Sequence, residues 1–214
     1  MTAANQYHTP SLRTYFVLVA VYAVLFAVLA VHPYDRAVWW AENIPILMIV
    51  LSLALLRRYV FVFSAAAYVL MFVLIYMHTV GGHYTFERVP FGFVNDLFGF
   101  DRNNYDRFGH FSVGFYAYAI AEYLLINRLV RSRALLYLFP LFSILALAAV
   151  YEIFEWRYAV SADESAGIAV LGSQGDIWDA QKDMLADGSG AVAALLLFYF
   201  RYRRVIGKIL GGVD

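Results

Sequence analysis

Six runs of apolar residues, separated by polar breaks, set the layout of the chain: 15–31, 38–56, 59–77, 108–127, 134–154 and 179–202. Each approaches the roughly 20 residues needed to cross a hydrocarbon core. Backbone polar groups in lipid must pair internally, so these runs are predicted to be helices. The second is interrupted by Glu42, Asn43 and Pro45, and the sixth begins with polar turns. The expectation is an all-α polytopic membrane bundle of about six transmembrane helices. No tandem repeat or low-complexity tract divides it, so 1–214 reads as a single integral membrane domain.

Composition agrees. The chain is 63% hydrophobic and only 15% charged, against roughly 25% charged for soluble domains. The formal net charge is zero, which gives no reason to expect a nucleic-acid partner. There is no cysteine, which excludes disulfides and thiolate metal sites. The first run also resembles a signal peptide, with Arg13 before it and Val28-Leu29-Ala30 as a cleavage site. The plainer reading is an uncleaved first helix.

Basic residues predict the orientation. Arg13, Arg57, Arg58, Arg128, Arg131, Arg133, Arg201, Arg203, Arg204 and Lys208 share one side, ten of the sixteen Lys and Arg. The positive-inside rule then puts both termini in the cytoplasm of an inner-membrane protein. Apart from Glu122 and Asp214, every carboxylate falls on or near the other side. The two outer connections, 78–107 and 156–178, are long and acidic. Connections of that length are usually functional or disordered.

The acids converge. Asp176, Asp179, Asp183 and Asp187 step by three, four and four. On a helix they share one face, in a stripe roughly 16 Å long at 1.5 Å per residue. Buried, each Asp costs about 2.5–3.5 kcal/mol on insertion scales, so the stripe needs water, protons, Arg partners or a cation. Gly188 and Gly190 beside it allow a close helix approach. Helix five ends with Glu152 and Glu155, one turn apart, and helix four begins with Asp106 and His110, spaced i, i+4. Helix three delivers His78 and His83 to the same level. Taken alone, Asp106 reads as a helix cap, and each of the others has an equally plain reading as a solvated or hydrogen-bonded group. Taken together, His110, Glu152, Glu155, Asp176, Asp179, Asp183, His78 and His83 are a predicted ligand set for a divalent metal ion. Oxygen ligands favour Mg, Ca or Mn, and imidazole shifts the choice towards Zn or Mn.

Three strings carry a resemblance. "GGHYTFERVP", "DRFGHFSVGF" and "GSQGDIWDAQKDM" resemble the YjdF-type inner-membrane family, over roughly residues 40 to 200. That family usually has Tyr where this chain has Phe86. A looser resemblance is to the VanZ-like superfamily. Asp106, Arg107 and His110 match its Asp-Lys-x-x-His string, and Asp183, Asp187 and Gly190 its Asp-x-x-x-Asn-x-x-Gly. Asp187 stands where Asn is usual. These resemblances imply an architecture rather than an activity.

Three functional readings follow. One is an enzyme on membrane lipid or a lipid-linked substrate, with a metal as Lewis acid. His110, Asp183 or Glu155 would then move protons, and Arg102 and Arg107 would hold a phosphate. Another is a non-catalytic membrane protein stabilised by a polar or metal cluster. The last is a cation or proton transporter, for which only Glu122 lies deep enough.

Overall fold

Three helices begin where a short polar side chain closes the first turn. Ser11 accepts from the Thr14 amide, Asp35 from the amides of Ala37 and Val38 at 2.7 and 3.0 Å, and Ser64 from that of Ala67. Each pairs an amide that the helix itself leaves unmatched. The computed structural model describes residues 8–161 and 174–210. Its helices are α1 (Leu12–Leu29), α2 (Arg36–Tyr59), α3 (Ala65–Tyr84), α4 (Gly92–Phe98), α5 (Tyr105–Val113), α6 (Tyr116–Ile126), α7 (Arg133–Ser161) and α8 (Asp179–Leu210). A 3-10 turn, Phe86–Arg88, follows α3. Five of the helices, α1, α2, α3, α7 and α8, are long and apolar enough to cross a membrane. The chain is a polytopic helical bundle.

Two expected elements differ. The run 108–127 is not one helix but two, α5 and α6, joined at Gly114 and Phe115. The ladder tightens there to i→i+3 bonds, from Phe115 to Ser112 and from Ala117 to Gly114. The third helix does not cover 59–77. Tyr59 ends α2, and the Ser64 cap starts α3 later. The helix then runs on to Tyr84, carrying Gly81, Gly82 and His83 inside it. The connection 78–107 is therefore largely structured. Of the other long connection, Asp163 and Glu164 lie outside the described residues.

Two central helices organise the packing. α3 touches α1, α2, α5 and α6, while α8 touches α5, α6 and α7. The α5–α6 pair is the wedge between them. Phe72, Tyr68, Tyr118, Phe198 and Tyr202 fill the middle, all fully buried, while Phe16, Val17, Val21 and Val24 of α1 face outward. Leaving lipid for a protein interior gains an apolar side chain little, so close packing and polar bonds must supply the specificity.

Glu122 is one such bond, and it lies at the end of the bundle that holds the N-terminal segment. Its carboxylate accepts from the Tyr202 hydroxyl at 2.6 Å and from the Ser64 amide at 3.2 Å. His8 Nδ1 lies 3.3 Å away, and His8 Nε2 donates to the Val62 carbonyl. The one carboxylate ties together the N-terminal segment, the start of α3, α6 and α8. Tyr202→Phe removes a hydrogen bond to a buried charged group, worth about 1.5–3 kcal/mol. The variant should melt several degrees lower in detergent with helix content unchanged, as read by circular dichroism.

Candidate functional site

The Asp stripe lies where its spacing predicts. Asp179, Asp183 and Asp187 fall on the buried face of α8. Asp176 sits just before the helix, accepting from the Trp178 amide and from Lys182 Nζ at 2.6 Å. The Lys182 hydrogen bond holds the Asp176 carboxyl below the usual range.

Two arginines meet the outer part of the stripe. Arg102, from the connection before α5, reaches Asp179 at 2.9 Å and Asp176 at 3.5 Å. Arg107, on α5, contacts Asp179 and Asp183 and lies 3.6 Å from Asp176. Both guanidiniums are thus engaged by carboxylates, whereas the sequence suggested a phosphate clamp. Folding of the 85–104 connection brings Arg102 onto α8, 77 residues away in sequence.

Deeper in, the acids meet a histidine. His110 is 7% exposed. Its Nδ1 donates to Asp187 Oδ2 at 3.2 Å, which leaves Nε2 facing Asp106 Oδ1 and Asp183 Oδ1, each at 3.8 Å. One atom from each of Asp106, His110 and Asp183 lies within 4.8 Å of the others. Ligands about 2.1 Å from one ion stand about 3–4.2 Å apart. The trio is therefore one small contraction from a coordination set. A carboxylate behind the distal ring nitrogen is the usual support of a metal-ligating imidazole. Asp106 is not the α5 cap, since Asn104 precedes the helix; Asp106 points from the first turn into the cluster.

The other expected ligands fall in different places. Glu155 is buried and lines a cavity that His110 and Asp106 also line. Glu152 is half-buried, with Oε1 lacking a hydrogen-bond partner among the described residues. His78 lines the same cavity, bonded through Nε2 to Glu42 Oε2 at 3.0 Å. His83 is elsewhere: its Nδ1 donates to the Leu29 carbonyl at the end of α1. Five residues separate the two histidines on α3, which turns them about 140° apart. Glu42 and Tyr151 also face the cavity. The polar break in the second apolar run was the available signal for Glu42. Tyr151, in an apolar stretch, gave none.

The cavity encloses about 310 Å³. Its polar end holds Glu42, His78, Asp106, His110, Glu155 and Asp187, and its remaining wall is mainly apolar, including Ile46, Ile49, Val113, Ile144 and Leu147. From Glu42 to Ile49 the slot runs about 10 Å along α2, and from Glu155 to Ile144 about 16 Å along α7. Its lining is drawn from α2, α3, α5, α6, α7 and α8, together with Phe86. Thr85, a β-branched residue held at φ 61°, ends α3 beside it, and Phe86 then turns onto the cavity wall.

A family model described as "Predicted membrane protein (DUF2238)" matches residues 14–204. The chain belongs to this family. It is 35% identical over 187 residues to "Inner membrane protein YjdF" of Escherichia coli (strain K12), covering 85% of this chain and 88% of that protein. No solved structure matches. The match takes in the α5 cluster, the Asp stripe and every helix that lines the cavity. The chain is a multi-pass inner-membrane protein, as its apolar helices require.

Proposed function

We propose that Asp106, His110 and Asp183 hold a divalent cation, and that the protein acts there on a membrane lipid or lipid-linked substrate whose chain occupies the slot. The observation that carries the reading is continuity: Asp106 and His110, two of the three residues in an Asp/His cluster of ligand spacing, also line a mainly apolar cavity within the helical bundle. Pockets with a few convergent polar groups on apolar walls are the usual form of small-molecule sites.

A bound cation would polarise a carbonyl or phosphoryl oxygen, or make hydroxide available near neutral pH. The residues of the chain supply the rest. Asp187 fixes the His110 ring so that Nε2 faces the cluster. Asp106 and Asp183 give the anionic oxygens that hard cations prefer. Glu155, on the α7 wall, is placed to receive or return a proton. The slot excludes water and holds an acyl or isoprenoid chain.

The test is chemical. The lipid content of a deletion strain, compared with the same strain carrying wild-type protein, should differ in one lipid class. Asp183→Asn should fail to restore that class while accumulating normally in the membrane. An identical lipid profile in all three strains would remove the catalytic reading.

A second reading has one observation in its favour. Arg102 and Arg107 already neutralise much of the outer stripe, as they would in a purely structural ion-pair lattice. In that case Asp183→Asn changes stability and leaves lipids alone. Transport has less support, since Glu122 does not line the cavity and its carboxylate is bonded to Tyr202 and Ser64.

A further inference from the structure

The polar end of the cavity also carries a carboxylate–imidazole pair outside the Asp106–His110–Asp183 cluster. It is made by Glu42 and His78, from helices 36 residues apart in sequence. Glu42 is 5% exposed, and a glycine pair seats it. A Cβ on Gly82 would stand 2.8 Å from Asn43 Nδ2 and 3.0 Å from Glu42 Cβ, and one on Gly81 would strike the Phe86 ring at 2.5 Å. Phe86 in turn lies edge-on to His78, 5.0 Å between ring centres. The pair is thus held rigidly by backbone that admits no side chain.

The charge of this end is one-sided. Glu42, Asp106, Glu155 and Asp187 line the cavity, with no Lys or Arg among its described lining residues. Arg102 and Arg107 lie behind the cluster, on the outer carboxylates. Asp187 is 1% exposed, and its Oδ1 has no hydrogen-bond partner among the described residues. A cation on the cluster would offset Asp106 and Asp183 but leave Glu42 and Glu155 as further acceptors lining the cavity. Glu42 has His78 and Asp187 has His110 as a donor, and their remaining oxygen lone pairs can accept from a ligand that donates. An anionic headgroup would instead meet several carboxylates at short range.

We propose that the cavity selects an amphiphile with a donor-bearing, non-anionic headgroup, best a protonated amine, which Glu42 grips while the chain fills the slot. This deepens the proposed function and rests on its lipid slot, not on its cation. The experiment is run in EDTA, so its failure is distinct from failure to find a metal.

Purified protein in a bulky detergent is melted with increasing dodecylamine, 1-monododecanoylglycerol or dodecyl phosphate. The amine should raise Tm most, the glyceride less, and the phosphate not at all. Glu42→Gln should weaken the apparent affinity for the amine about tenfold, a loss of one charge-assisted contact. Glu155→Gln gives a second reading if Glu42→Gln does not fold. Leu147→Trp, which fills the slot from an exposed position, should abolish every response and so exclude an effect of the micelle. Equal stabilisation by dodecyl phosphate, no response of the wild type, or an unchanged amine response in the acid variant would each overturn the proposal.

Discussion

Gly190→Ala should prevent stable assembly of the bundle, and Gly190→Leu should leave little folded protein to extract. A Cβ at Gly190 would stand 1.9 Å from the Phe111 carbonyl oxygen and 2.8 Å from its carbon. On the facing helix, a Cβ at Gly114 would lie 2.2 Å from the Ala191 amide nitrogen and 2.4 Å from the Asp187 carbonyl. These are backbone atoms on both sides, so no rotamer change relieves the clash. α5 and α8 would have to separate. In a membrane that contact is held by close packing rather than by exclusion from water, and separation also pulls Asp183 and Asp187 away from His110. Overpacking against side chains costs typically about 1–3 kcal/mol; against backbone the loss should exceed that range. Gly188→Ala is the control. Its Cβ meets only the end of Leu145, at 3.1 Å, and that side chain can move. Detergent melting curves should place Gly188→Ala near wild type and Gly190→Ala far below it. Equal melting of the two would mean that the α5–α8 contact is not as close as described.

Arg107→Gln should be the most damaging change among the charged residues, and metal should partly repair it. The guanidinium contacts Asp179 and Asp183, which are 8% and 2% exposed. Removing one partner of a buried ion pair costs about 3–5 kcal/mol, because the orphaned charge stays buried. Arg102 still reaches Asp179, so the orphan is mainly Asp183. If Asp183 is also a metal ligand, a divalent ion is the natural replacement. Its binding adds stability of about RT ln(1 + [L]/Kd), near 2.7 kcal/mol at a hundredfold excess over Kd. Arg107→Gln should therefore melt well below wild type in EDTA and recover a large part of the difference when Zn²⁺ or Mn²⁺ is added. The double variant Arg107→Gln, Asp183→Asn should lose less than the single and show no metal response. No metal response in the single variant would count against Asp183 as a ligand.

Much of this arrangement could be read before folding, for definite reasons. The apolar runs are long because the bilayer sets their length, and the Asp stripe keeps its face because helical periodicity is rigid. Asp35 and Ser64 cap helix starts that the apolar runs, taken from 38 and 59, did not mark. Other features depend on where distant segments cross. Gly114 looks like any glycine until α8 lies against it, so the break in the fourth run was not visible. Glu42 and His78 meet only because the α3 glycines let α2 approach. Arg102 reaches Asp179 because the 85–104 connection folds back onto α8, a crossing that the sequence does not show. His83 shows the converse. Its nearness to His78 in sequence suggested a shared site, but five residues of helix turn it to α1.

The central claim is that Asp106, His110 and Asp183 bind a divalent cation, and elemental analysis of the purified protein tests it most directly. Wild-type protein, extracted without chelator, dialysed and measured by plasma mass spectrometry, should carry close to one divalent ion per chain. Asp183→Asn and His110→Ala should carry none while eluting as folded protein. Asp187→Asn should retain most of it, because an amide oxygen can still accept from His110 Nδ1. Wild-type protein free of divalent metal after reconstitution with Zn²⁺, Mn²⁺, Mg²⁺ and Ca²⁺ in turn, or metal content unchanged in Asp183→Asn, would contradict the account.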